Sequence, residues 1–147
     1  MSAILEKRVT LNNISWDFYR SMRREIGDAH VRLTFDQGRL EIMSPSGFHE
    51  AIKTIIGRLI EAYADESGIV AVGLGSTTFS RDDLQKGLEP DECYYTAHAA
   101  QIIGKQELDL TVDPPPDLAI EVDLSPPGVA RLQHWACWRS GAMTADG

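Results

Sequence analysis

Two acidic residues, Asp91 and Glu121, carry the chemistry that this sequence suggests most directly. Asp91 opens the apolar run at 93–95, and Glu121 lies in a second apolar segment at 117–123. A charge in such a segment is costly to desolvate unless it is paired or coordinates a metal. Two carboxylates at the ends of adjacent strands are enough to hold Mg²⁺, which takes oxygen ligands and keeps several waters. The sequence therefore predicts a magnesium site, and the alternative is that both side chains simply point outward at strand ends.

The composition limits the class of protein. The 147 residues, 43% of them hydrophobic, fit one globular domain. No apolar run approaches the roughly 20 residues of a membrane span, and residues 1–15 contain no signal-peptide core, so we expect a cytoplasmic protein without membrane association. The net charge of −8 argues against a protein that coats nucleic acid by bulk charge. It does not exclude a nuclease, whose site concentrates carboxylates.

A local basic stripe is present despite the acidic balance. Arg20, Arg23 and Arg24 lie close together in a segment with helical spacing. Such a stripe could supply phosphate contacts, and the alternative is a solvated helix face.

A rival set of residues has ligand types suited to zinc, namely Cys93, His98, His134 and Cys137. The spacing is loose, and Cys93 lies on an apolar strand beside Asp91. A buried, inert thiol is therefore the better interpretation of Cys93.

Periodicity places these residues on an α/β scaffold. Ser15 caps a predicted short helix that ends near Gly27, and alternating residues at 30–35 and 39–43 predict a hairpin. A long helix capped by Ser46 and ending at Gly68 is predicted by apolar residues at helical spacing: Ile52, Ile55, Ile56, Leu59, Ile60 and Tyr63. Short strands are expected at 69–72, 77–79, 91–96 and 117–123. The pattern predicts one α/β domain with a mixed sheet and a long helix packed on it.

The order of the motifs resembles the Uma-two family of restriction endonucleases, within the PD-(D/E)xK nuclease superfamily. The similar runs lie between about residues 16 and 131 and read MSP at 43–45, HE at 49–50, GSTTF at 75–79, GLEPDECYY at 87–95 and PPDLAIEVD at 115–123. The resemblance implies a restriction-endonuclease-like fold, a mixed sheet flanked by helices. It also implies magnesium-dependent hydrolysis of DNA, with Mn²⁺ as the alternative ion, and we keep a homodimer open.

The resemblance assigns roles by position. Asp91 matches the Asp of the PD signature and Glu121 the acidic residue of (D/E)xK, so both are expected to hold the metal. The helix residue of the family falls at His49 or Glu50, either of which would orient water or join the metal shell. A packing role is the alternative for His49. Without the cation, two neighbouring carboxylates are expected to repel, so removing either should raise stability slightly.

Two positions depart from the signature. Asp123 stands where the superfamily has Lys, and the position to which that Lys has moved in many relatives is Arg131 here. An Arg can stabilise phosphate charge but cannot act as a base. The alternative function is therefore a catalytically inactive nuclease-fold scaffold or binding domain.

The last segment, residues 133–147, loses both periodicity and resemblance. Relatives continue with a segment like YAALGVPEVWRYDG, and codons read one base out of phase permit AALGVLEVWRYDG here. We interpret residues 1–147 as one restriction-endonuclease-like domain whose C-terminal part is truncated by a frameshift. The nucleotide sequence tests this interpretation.

Overall fold

The computed structural model describes residues 6–27 and 29–124. Their elements follow in the order β1 (Lys7–Leu11), α1 (Trp16–Ile26), β2 (Arg32–Asp36), β3 (Arg39–Ser44), α2 (Gly47–Ser67), β4 (Val72–Gly73), β5 (Phe79–Arg81), β6 (Lys86–Leu88), β7 (Glu92–Tyr95), α3 (Ala99–Ile102) and β8 (Leu118–Ile120). The predicted α/β class, sheets flanked by helices, is confirmed. None of the helices in these ranges combines the length and the apolar character needed to cross a bilayer.

The described strands form two sheets. One has five strands in the order β1-β3-β2-β6-β5, and the other has three in the order β4-β7-β8. Every pairing among them is antiparallel. The single mixed sheet of the prediction is thus replaced, in this part of the chain, by two antiparallel sheets.

The chain passes from one sheet to the other at residues 89–91. Only these three residues separate β6, in the five-stranded sheet, from β7, in the three-stranded sheet. Pro90 is fully buried at the crossing, and a proline has no N–H to donate to a ladder. The carboxylates of Glu89 and Asp91 therefore lie at the junction between the two sheets.

Helix α1 packs on the five-stranded sheet through aromatic side chains. The Ser15 side chain caps the helix by accepting from the Phe18 N–H at 3.2 Å, as predicted. The ring of Tyr19 stacks on Phe35, with centroids 5.1 Å apart. Trp16 packs beside both rings. This cluster fixes α1 over the sheet.

Helix α2 has both predicted caps but only part of the predicted burial. The Ser46 side chain accepts from the His49 N–H at 3.1 Å, and Gly68 ends the helix at a φ of +66°. Ile55, Leu59 and Tyr63 are 57%, 65% and 68% exposed. Half of the predicted apolar stripe is therefore uncovered by the described part of the chain, while His49 in the first turn of α2 is buried.

Three segments differ from the prediction or lie outside the described ranges. Strand β1 was not predicted, because its sequence, KRVTL, is charged and largely exposed. Residues 81–86, for which no strand was predicted, contribute to β5 and β6, which are joined by a tight turn. The aberrant tail at 133–147 lies outside the described residues.

Replacing Gly87 with alanine should destabilise the protein. A Cβ at this position would lie 2.7 Å from Cε1 of Tyr19 and would overlap its hydroxyl. Because the Tyr19 ring is clamped among other aromatics, it has little room to move, and overpacking of this kind costs about 1–3 kcal/mol. Urea denaturation of Gly87→Ala measures the loss. Gly47→Ala is the control, since a Cβ there meets no atom within 4 Å. Equal stability of the two variants would contradict the prediction.

Candidate functional site

The Asp91 carboxylate is fully buried, and its two oxygens differ in their contacts. Oδ2 accepts the Val122 N–H at 2.7 Å and faces His49 Nε2 at 3.1 Å. Oδ1 has no hydrogen-bond partner within the described ranges. The Asp91 N–H donates to the Ile120 carbonyl at 3.0 Å. Asp91 thus connects the start of β7 to the end of β8 and to the first turn of α2, with one oxygen left over.

His49 orients this carboxylate. Its Nε2 lies 3.1 Å from Asp91 Oδ2 and 2.9 Å from the Val122 carbonyl, both of which only accept. Nε2 must therefore carry a proton and share it between them. The ring is fully buried, and Glu6 Oε1 lies 3.4 Å from the same nitrogen. The structure thus buries His49 and places it beside Asp91, and the site role of His49 stays a prediction.

Arg32 is a member of the site that the sequence analysis missed. This buried residue of β2 brings its Nε within 4.0 Å of Asp91 Oδ1 and its Nη2 within 3.9 Å of Glu50 Oε1. In the sequence it was one polar position of an alternating hairpin strand. The available signal was that β2 is buried along most of its length, so a charge on it needs partners.

Glu50 lies next to His49 and remains ionised at neutral pH. Burial raises the pKa of its carboxyl, but Lys53, Arg32 and His30 together outweigh burial and lower it. Lys53 Nζ lies 3.4 Å from Glu50 Oε2. His49 Nδ1 lies 3.6 Å from Glu50 Oε1. Of the two helix residues named by the resemblance, both are therefore in the neighbourhood of Asp91.

Glu121 lies at the same end of the three-stranded sheet as Asp91. The last registered pair of β7 and β8 is Glu92 with Ile120, and Asp91 and Glu121 are the next residues beyond it. That these two carboxylates share one cation stays a prediction. The described residues contain no group of three or more His, Cys, Asp or Glu side chains placed to hold a metal. Magnesium, however, is often held by one or two carboxylates with waters and phosphate oxygens.

Arg8 places its guanidinium beside Asp123, the residue that stands where the signature has Lys. Its Nη2 lies 3.6 Å from Asp123 Oδ1 and 3.2 Å from Glu6 Oε2. Its Nη1 lies 3.4 Å from Glu41 Oε1. Arg8 was missed with the rest of β1, because that strand has little apolar signal. Arg131, the other proposed substitute, lies outside the described residues.

Glu89 is a second buried carboxylate at the sheet junction, only 2% exposed. Its Oε1 accepts from the Thr78 hydroxyl at 2.7 Å and lies 2.7 Å from Arg23 Nε. Its Oε2 accepts weakly from the Leu33 N–H at 3.4 Å. Arg23, proposed from the sequence as part of a basic stripe, is thus tied to the junction instead of being only a solvated helix residue.

The rival zinc set is not brought together within the described residues. Cys93 is fully buried against Phe79 and Leu88. His98 instead places Nδ1 2.5 Å from Asp117 Oδ1. Burial, with a contribution from nearby Glu92, raises the pKa of the Cys93 thiol to about 12. The buried thiol is confirmed, and the other two proposed ligands, His134 and Cys137, lie outside the described ranges.

Asp91→Ala should destabilise the protein. The substitution leaves the Val122 N–H buried without an acceptor and removes one acceptor from His49 Nε2, which costs about 1–3 kcal/mol. Repulsion between carboxylates alone predicts a gain, so the hydrogen bonds reverse the expected sign for this residue. Urea denaturation in EDTA measures the change. Asp83→Ala, which removes a half-exposed carboxylate, is the control and should change stability by less than about 1 kcal/mol. A gain in stability for Asp91→Ala would contradict this account.

Cys93 should resist alkylation in the folded protein. The thiolate is the reactive form, and a pKa of about 12 keeps the thiol neutral at pH 8. We expect iodoacetamide to label Cys93 at pH 8 at least about tenfold more slowly in buffer than in denaturant. Peptide mass spectrometry over a time course measures both rates. Equal rates in the two conditions would show that the thiol is accessible and ionised in the folded state.

A comparison with known families agrees with the order of the motifs. The model of the Uma2 family, described as "Putative restriction endonuclease", matches residues 16–133. No curated protein and no solved structure matches the chain. The matched span is most of the 147 residues and includes every described residue placed around Asp91 except Glu6 and Arg8. The chain belongs to the Uma2 family.

Proposed function

We propose that this protein is a magnesium-dependent endonuclease that hydrolyses phosphodiester bonds in DNA. The observation that carries the proposal is the buried Asp91 carboxylate, with one oxygen held by two donors and the other without a hydrogen-bond partner in the described structure. A buried anion left half satisfied is typical of a functional site. The nuclease description of the family supports this reaction class.

The residues present fit a hard divalent cation. Buried carboxylate oxygens of Asp91, Glu6 and Glu50 lack hydrogen-bond partners among the described residues. Oxygen atoms of this kind are the ligands that Mg²⁺ and Mn²⁺ prefer. In the proposal Asp91 and Glu121 hold the ion. When bound, the ion would lower the pKa of a coordinated water and offset negative charge on the phosphate.

The remaining residues orient groups and balance charge. In the proposal His49 fixes Asp91 Oδ2 and leaves Oδ1 to the ion. The lowered pKa of Glu50 makes it a weak proton acceptor, better suited to orienting water or to ligating the ion than to general-base catalysis. Arg32, whose Nε has no hydrogen-bond partner in the described ranges, is placed to meet a phosphate oxygen beside Asp91. Arg131 is also proposed to offset the negative charge of the phosphate, on the basis of the family pattern alone.

One observation favours the alternative of an inactive scaffold or binding domain. Asp123 replaces the signature Lys, and its carboxylate is engaged with Arg8. Arg8 restores a positive charge at that position but stays protonated, so it cannot take a proton from water. Loss of that function would leave a site that binds metal and phosphate without cleaving.

Plasmid nicking in Mg²⁺ tests the proposal. Asp91→Asn and Glu121→Gln should each reduce cleavage by at least about 100-fold, because each weakens a ligand of a small metal shell. Arg32→Ala and Arg131→Ala should slow cleavage while sparing metal affinity measured by calorimetry, because an arginine meets the phosphate and not the ion. Circular dichroism checks that each variant is folded, and Asp83→Ala is the matched acidic control.

The outcomes separate the two functions. Cleavage that survives Asp91→Asn would place the activity elsewhere. Magnesium binding by the wild type without cleavage would select the binding domain over the nuclease.

A further inference from the structure

Three arginines of α1 line a cavity that the catalytic proposal does not use. The cavity has a volume of about 530 Å³, and Arg20, Arg23 and Arg24 form its basic wall. Polar residues just before, in and just after β5 also line it: Thr78, Ser80 and Asp82. The three guanidinium groups outnumber the one carboxylate, in a protein whose overall charge is −8. This cavity is therefore a locally basic site on an acidic protein.

A second, smaller cavity lies beside the first. It has a volume of about 190 Å³ and shares Arg23 and Gly27 with the larger cavity. Arg32 and Glu89 also line it. Asp91 lines neither cavity, but Arg32, which lines the second one, has its Nε 4.0 Å from Asp91 Oδ1.

Two of the arginines are available for a new partner. Arg20 Nη1 is 3.5 Å from Asp82 Oδ2, and both side chains are more than half exposed, so this ion pair is weak. Arg24 Nη2 donates to the Ser21 hydroxyl at 3.3 Å and forms no ion pair with any described residue. Arg23 differs, because its bond to Glu89 holds the junction together. Arg20 and Arg24 can thus turn to an anion at little cost.

Tyr19, which also lines the cavity, has a buried hydroxyl without a hydrogen-bond partner among the described residues. The residue is 1% exposed. Burial, together with nearby Glu89, raises the pKa of this phenol. The phenol therefore stays protonated and adds no negative charge to the cavity wall.

We propose that the two adjoining cavities hold successive phosphates of a nucleic-acid strand. These phosphates lie on one side of the phosphodiester bond that is cleaved at Asp91. Arg20 and Arg24 contact the phosphates farther from Asp91, and Arg32 contacts the nearer one. The inference rests on the proposed function, since it takes the strand at Asp91 as the one that continues along α1. It assigns a polynucleotide, and not a free nucleotide, as the ligand. Asp82 competes with the phosphates for Arg20.

The test measures binding in EDTA, so that no cleavage is needed. Fluorescence anisotropy with a labelled single-stranded oligonucleotide compares wild type with the double variant Arg20→Ala/Arg24→Ala. The double variant should bind at least about tenfold more weakly, and the slope of log K against log salt should fall by about 1.4, or about 0.7 for each lost phosphate contact. Asp82→Asn should bind several-fold more tightly. Arg58→Ala, on an exposed arginine of α2, is the matched control and should bind like wild type.

The outcomes separate this inference from the proposed nuclease. If the double variant kept the affinity and the salt slope of the wild type, phosphate binding in the two cavities would be overturned, even if cleavage still required Asp91. No binding of the oligonucleotide by wild type would also overturn it. If the double variant bound more weakly and the wild type did not cleave, phosphate binding in the two cavities would be supported while the nuclease proposal failed. Inorganic phosphate and unlabelled oligonucleotide are compared as competitors of the labelled strand at equal phosphate concentration and ionic strength. If inorganic phosphate displaced the labelled strand as effectively, the polynucleotide assignment would be overturned.

Discussion

Two carboxylates buried at one crossing between sheets constrain the arrangement of the surrounding elements. Taking a carboxylate out of water costs several kcal/mol unless donors or cations replace the water. Glu89 meets this need with Arg23 of α1 and the Thr78 hydroxyl, and Asp91 meets it with His49 of α2 and the Val122 N–H. Because these partners come from α1, from α2 and from residues beside β5 and β8, the contacts of the two carboxylates constrain how these elements meet.

The sequence predicts local structure well because the signals are local. The caps of α2 lie in Ser46 and Gly68 themselves, and the hairpin of β2 and β3 follows from alternation around a two-residue turn. Coverage of an apolar face is different. The period of α2 shows that Ile55, Leu59 and Tyr63 share a stripe, but it carries no information on what packs against it. Within the described ranges these three side chains stay exposed.

The residues of the candidate site differ in the same way, because some are recognisable from local sequence and others only from the fold. Asp91, His49 and Glu50 were found because they stand in short runs that resemble a family. Arg32, Arg8 and Glu6 were missed because their importance comes from strands that meet only in the folded chain. A charged residue in β1 has the same local sequence character whether it faces water or Glu41 across the sheet. Sequence alone therefore predicts residues that stand in recognisable runs better than residues that strand pairing brings beside them.

The bonds around Asp91 also determine when the site can exist. His49 is 42 positions from Asp91, Val122 is 31 positions from it, and His49 and Val122 are 73 positions apart. Closing such loops costs chain entropy that is recovered only when the distant partners arrive. On a ribosome, residue 122 leaves the exit tunnel long after α2. Until then the nascent chain carries Asp91 and His49 without the N–H and the carbonyl of Val122 that contact them. An assembled site is thus a late product of synthesis, and it reports that both sheets have already formed.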